Sequence, residues 1–182
     1  MLNNKMQLRF AVIPDEEPFN PRECNDNITK MVCFHNKYEL GDEHSYRQDD
    51  YSSWEELKQA ILKEENAVLI KPLYLYDHSG ITISTSPFSC RWDSGQIGFI
   101  YITQEESGIL DDKRLNNFLN KEVEEYDLYL RGDFWAYRIY EVNVESLDIN
   151  PITYCGGFNT EEEARNAGIA EFNIVKEKIL IK

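Results

Sequence analysis

AVLIKPLYLYDHSGITISTSPFSCRWDSGQIGFIYIT, residues 67–103, is the stretch on which the fold turns. Ala67–Tyr76 reads as a buried strand interrupted by Pro72, which sets an edge or a bulge there. Ile81–Ser84 and Ile97–Thr103 read as two further strands, apolar and rich in branched side chains. The connectors carry Asp77-His78-Ser79-Gly80 and Trp92-Asp93-Ser94-Gly95. Asp and Ser bond their own backbone and Gly supplies positive φ, so each phrase is turn chemistry. The two turns share one side of a sheet only if the intervening strands bring them there.

Working outward, Gln7–Ile13 is a strand stopped by Pro14, and Met31–His35 is another. Between them Asp15–Thr29, with Pro18 and Pro21, reads as a long ordered loop without regular helix. Ser53-Trp54-Glu55-Glu56 fits a capping box that opens a helix with Leu57, Ile61 and Leu62 on one face. Asp111–Arg131 is a second helix, its stripe made of Leu115, Phe118, Leu119, Val123, Tyr126 and Leu130. Phe134–Val144 alternates as a strand and Ile152–Phe158 is a short last one. Thr160-Glu161-Glu162-Glu163 caps a third helix whose Ile169, Phe172, Val175 and Ile179 face inward. The order predicts the α+β class: one domain over residues 1–182, with a mixed, mainly antiparallel sheet and about three packed helices.

The 182 residues carry 33 acidic and 19 basic side chains, a formal charge of −14 that leaves all three thirds of the chain acidic. Affinity for nucleic-acid phosphate comes from lysines and arginines that release counterions, so this chain is a poor match for wrapping duplex DNA. An acidic surface is instead attracted to cationic clefts, including those that hold nucleic acid. No apolar run approaches the ~20 residues that span a bilayer. MLNNKMQLRFAVIPDEEP lacks the apolar core of a secretory leader, so a soluble intracellular chain is expected. Cys24, Cys33, Cys90 and Cys155 show no C-x-x-C pairing and are expected to be free thiols.

Candidate chemistry gathers in the first half. All three histidines fall between His35 and His78, each of His44 and His78 directly after an acid. A cluster of His35, His44, Asp77, His78 and Asp93 has the residue types to hold a divalent metal and activate water. The competing reading is that these histidines are hydrogen-bonded in loops and that the D-x-S-G phrases are ordinary turns. Glu122, Glu124, Glu125 and Asp127 form a dense acidic run on the second helix, either a solvated face or a binding face. Tyr74 and Tyr76 give one strand a tyrosine-rich side, suited to an interface or to packing.

PFNPRE (18–23), MVCFHNKYELGDEH (31–44), PLYLYDHSGITISTSPFSCRWDSGQIGFIYIT (72–103) and EVEEYDLYLRGDFWAYRI (122–139) resemble a family of bacteriophage and mobile-element proteins of Firmicutes. The likeness spans most of residues 18–140, and Arg91 stands where it leads one to expect a proline. Length, acidity and mobile-element character also resemble a type II-A anti-CRISPR protein of a streptococcal phage or prophage, an inhibitor of Cas9. That resemblance implies a binding protein more than an enzyme, with no cofactor, acting in the cytoplasm of the bacterial host. Its partner would be Cas9 or the Cas9–guide RNA complex, which holds its heteroduplex in a positively charged channel. Exposed carboxylates such as Glu122, Glu124, Glu125 and Asp127 would make the contact. The alternatives are a metal-assisted hydrolase or nuclease built on the histidine cluster, and an accessory protein directed at another host defence system.

Overall fold

The computed structural model describes residues 6–24 and 26–180. The first five residues of the stretch read for a leader lie outside them. Seven strands and five helices follow in the order β1 (Met6–Pro14), α1 (Pro21–Cys24), β2 (Lys30–Cys33), α2 (Trp54–Glu64), β3 (Ala67–Asp77), β4 (Ile81–Ser84), β5 (Ser94–Thr103), α3 (Gln104–Ser107), α4 (Asp112–Arg131), β6 (Trp135–Asn143), β7 (Ile149–Phe158) and α5 (Glu161–Leu180). The class is α+β as expected, and every strand pair is antiparallel. The strands sort into two sheets where one was expected, β2-β5-β3-β4 and β1-β6-β7. Residue contacts likewise form two compact units: Asn20–Arg131, and Met1–Phe19 together with Gly132–Lys182.

In the unit Asn20–Arg131 the sheet is covered on both faces, which explains why β5 reads as an unbroken apolar run. One face puts Met31, Leu73, Leu75, Ile100 and Ile102 against Leu115, Leu119, Val123 and Tyr126 of α4. The other puts Val32, Phe99 and Tyr101 against Leu57 and Ile61 of α2. Each fully buried Leu or Ile contributes about 1.5–3 kcal/mol of transfer free energy, so the alternation along β5 fixes its register on both sides. Pro72 sits between the shifts in the β3–β5 register, after Ala67/Leu69 and before Leu73/Tyr74. Ser53 caps α2 by accepting from the Glu56 amide at 3.3 Å. The Glu56 carboxylate turns to the amide and hydroxyl of Ser52 rather than closing the box on Ser53. Asn66, at φ +50°, ends that segment.

The loop 15–29 contains the turn of helix α1, against expectation. Proline is compatible with the first helical position, where its missing N–H has no intrahelical partner, and Pro21 occupies that place.

In the other unit, α5 packs on the sheet through Phe10, Tyr137, Ile139, Phe158, Phe172 and Val175. Thr160 caps it through the Glu163 amide at 3.2 Å. Ile169, expected inside, is exposed, because the inward line runs through Ala164, Gly168, Phe172 and Val175 instead. Asp15, buried, accepts from the Tyr154 hydroxyl at 2.7 Å and the Gly157 amide at 2.8 Å. A Cβ on Gly156 would stand 2.1 Å from the Asp15 carboxylate, so a side chain there would displace it. Burial, with the Asp15 bond next, pushes the Tyr154 hydroxyl up to about 12.

Candidate functional site

β2 and β3 both run antiparallel to β5, so their C-terminal ends flank the start of β5. The Phe34 amide reaches the Ile97 carbonyl at 2.7 Å and the Asp77 amide reaches the Asp93 carbonyl at 2.8 Å. This register sets the two D-x-S-G phrases side by side at one end of the sheet. His78-Ser79-Gly80 is the β3–β4 hairpin turn, with Ser79 at φ +59°. Cys90-Arg91-Trp92-Asp93 leads into β5, tied by the Ser94 hydroxyl on the Cys90 carbonyl and by the Cys90 thiol 3.5 Å from Asp93.

Four of the five histidine-cluster residues meet at this end. His78 Nδ1 lies 3.4 Å from Asp93 Oδ2, and the His78 ring stacks beside Tyr76. Asp77 receives Lys37 Nζ at 3.1 Å and the Tyr38 hydroxyl at 3.4 Å. The Lys37 ammonium is held above its ordinary pKa by that carboxylate. His35 stacks on Tyr38, ring centres 4.9 Å apart. His44 stands apart: its Nε2 donates to the Cys33 carbonyl at 3.0 Å and its ring meets Phe34 edge-on. Its Nδ1 is buried with no partner among the described residues. Among the described residues no group of three or more His, Cys, Asp or Glu side chains is arranged to hold a metal ion. The cluster therefore offers ion pairs and one carboxylate-oriented imidazole.

Two clefts open around His35. One, about 460 Å³, is lined by Lys37, Asp77, Trp92, Asp93 and Gln96 among others, with Trp92 96% exposed. The other, about 660 Å³, takes Glu23, Glu39, Asp42 and Glu43 into its wall, with His35 and His44 and, among the described residues, no lysine or arginine. Glu39 and Glu43 are exposed. Carboxylates on one concave wall reinforce each other's field and favour a cationic group from solution.

The wall is held from beneath by Arg22, whose side chain is 2% exposed. Its guanidinium forks onto Asp42 at 2.9 and 2.6 Å, reaches Glu122 at 2.8 Å and bonds the Thr29 carbonyl at 2.8 Å. Asp42 also accepts the Met31 amide at 2.8 Å and Glu122 the Ile28 amide at 3.0 Å. Burial works against the Arg22 charge, and the Asp42 and Glu122 bonds outweigh it, leaving its pKa raised. Burial pushes the neighbouring Cys33 thiol up to about 12.

The four helical carboxylates divide. Glu122 belongs to the Arg22 cluster, and Asp127 accepts the Ile83 amide at 2.8 Å, the Thr82 hydroxyl and Arg131 at 3.2 Å. Both flank the buried stripe of α4, one on each side, so they are bound inside the fold and withdrawn from an outer face. Glu124 is exposed and Glu125 half-buried. Sequence reasoning missed Arg22, Lys37, Glu39 and Glu43 as site residues. Their signal was present: 18–23 and 31–44, two of the stretches that carry the phage-family resemblance, supply most of the acidic wall and meet through Arg22 and Asp42.

Comparison with protein-family models, curated proteins and solved structures finds no match for this chain. No helix among the described residues is long and apolar enough to cross a membrane.

Proposed function

We propose that this protein is a phage-encoded inhibitor of type II-A Cas9 that acts in the host cytoplasm by docking acidic surface onto the nuclease or its guide RNA complex. The observation that carries the reading is the cleft walled by Glu23, Glu39, Asp42 and Glu43, without a lysine or arginine among the described residues, in a chain of charge −14. Basic side chains lining a nucleic-acid channel are the groups such a wall attracts. The phage-family resemblance supports the same partner. Occupation of the channel would exclude target DNA or disturb the guide.

The test is capture of Cas9 with and without guide RNA, followed by DNA cleavage at rising inhibitor. Capture weakens with salt, and Glu39→Lys with Glu43→Lys lowers affinity at least about tenfold. Unimpaired cleavage at excess inhibitor defeats the proposal.

A second reading, a metal-assisted hydrolase acting on nucleic acid, is favoured by the His78–Asp93 pair beside Asp77 and His35. A carboxylate that orients Nδ1 leaves Nε2 to act as a base. Incubation of labelled guide RNA with Mg²⁺ or Mn²⁺, then with chelator, separates cleavage from blocking. Full activity of His78→Ala would end this version.

A further inference from the structure

We propose that β7 is the pairing edge of a homodimer, in which two copies join their three-stranded sheets into one of six strands. The strand runs ten residues and, among the described residues, pairs on one side only, with β6. It contains no charged side chain in a chain that is 29% charged. Ile149 is 63% exposed, Tyr154 55% and Ile152 40%. Leu147 and Val144, in and beside the β6–β7 turn, are exposed as well. Helix α5 packs mainly over β1 and β6, which leaves both faces of β7 open.

Edge strands are ordinarily protected by lysines, by inward charges or by a covering element. Within β7, Pro151 and the Gly156-Gly157 pair are the only blunting features, and the run between them is Ile152-Thr153-Tyr154-Cys155. An antiparallel strand pairs with its own copy about a twofold axis, giving a closed interface. Charge selects this occupant. Two copies at −14 repel wherever carboxylates oppose, and an uncharged strand is where they approach without that cost. A cationic partner is drawn instead to the acidic cleft. The dimer stands independently of the Cas9 reading, and salt separates the two. Screening strengthens association between like-charged copies and weakens docking onto a basic channel.

Sedimentation of the full chain at rising concentration tests this. The mass should move from 21.4 kDa toward twice that value, with the midpoint at lower concentration in high salt. Amide exchange should slow along β7 as the dimer forms. Ile149→Lys with Ile152→Lys changes two exposed positions and should hold the mass at one chain while circular dichroism stays unchanged. If the wild-type chain stays monomeric at every concentration, the proposal is overturned. It is overturned equally if the dimer survives the double variant, or if protection arises away from β7. Protection of β7 by an added foreign protein, with no self-association, would assign the edge to that protein and also overturn it.

Discussion

In the unit Asn20–Arg131 each sheet face has a helix against it, and the charged groups the fold encloses are met from several directions. In the unit built on β1, β6 and β7, one face is packed and a ten-residue strand hangs at the rim with a single neighbour. The first arrangement holds strand ends still, and that is where the clefts and the exposed carboxylates stand. The second leaves backbone donors and acceptors at an edge, where another strand satisfies them. One chain thus offers two surfaces of different chemistry, an acidic wall on a rigid support and a neutral edge.

The hardest way to break that contrast is at Arg22. Arg22→Ala leaves Asp42 and Glu122 enclosed without their cation, and removal of one member of a buried ion cluster costs about 3–5 kcal/mol. Urea unfolding gives the loss. Amide exchange should show it in β2 and β5 while β6 and β7 keep their protection. If Asp42→Asn and Glu122→Gln added to Arg22→Met restore most of the stability, the penalty is one of unpaired charge.

Alkali gives the next effect. The Cys33 thiol is raised from 9.0 to about 12 by burial, and the Tyr126 hydroxyl from 10.0 to about 12, again by burial first. Above about pH 9 the unfolded chain releases the Cys33 proton while the folded chain keeps it. Stability is therefore full below the unfolded pKa and falls as pH rises, at ~1.4 kcal/mol per pH unit for one group. By about pH 11 the loss from Cys33 approaches ~3 kcal/mol, and Tyr126 adds to it. Cys33→Ala should flatten the profile to the Tyr126 share alone. A profile unchanged by that substitution would mean the thiol does not report on this core.

In the other unit the corresponding close contact lies under α5. A Cβ at Gly168 would meet the Phe10 ring at 2.2 Å and the Tyr137 Cβ at 2.9 Å. Alanine is usually better than glycine inside a helix by about 1 kcal/mol, yet overpacking here reverses the sign. Gly168→Ala should destabilise by about 1–3 kcal/mol, with faster exchange in α5 and β6. A gain in stability would show that the helix rides higher on its sheet.

What the sequence made legible follows from how local each signal is. The strands of 67–103, the caps at Ser53 and Thr160 and the stripe of α4 are short-range patterns, and each formed where the pattern placed it. The division into two sheets was not legible, because β1 pairs with β6 about 130 positions along the chain and alternation says nothing of partners. Within the site, the turns were readable as turns, but their adjacency depended on the β3–β5 register. Glu122 and Asp127 were misjudged as outward carboxylates for a related reason. The run Glu122, Glu124, Glu125, Asp127 looks uniform in sequence, while a helical projection sets its first and last members beside the buried stripe. Arg22 was invisible because its partners Asp42 and Glu122 lie 20 and 100 residues away.

The finest distinction between the units lies in how their helices begin. Loss of an N-cap side chain costs about 0.5–2 kcal/mol. At α2, Ser53 shares the work with Glu56, whose carboxylate holds the Ser52 amide and hydroxyl and is lowered in pKa by those bonds. At α5 the Thr160 hydroxyl is met by the Glu163 amide, and no bond from the Glu163 carboxylate back to the cap completes the box among the described residues. Thr160→Ala should therefore cost about 1 kcal/mol and Ser53→Ala about half as much. Acid provides the discriminating condition. A carboxylate with a depressed folded pKa stabilises above its unfolded pKa, and that contribution fades as pH falls through the folded value. As Glu56 protonates, the cost of Ser53→Ala should rise toward that of Thr160→Ala. Equal costs at neutral pH would show that Glu56 does not support the start of α2.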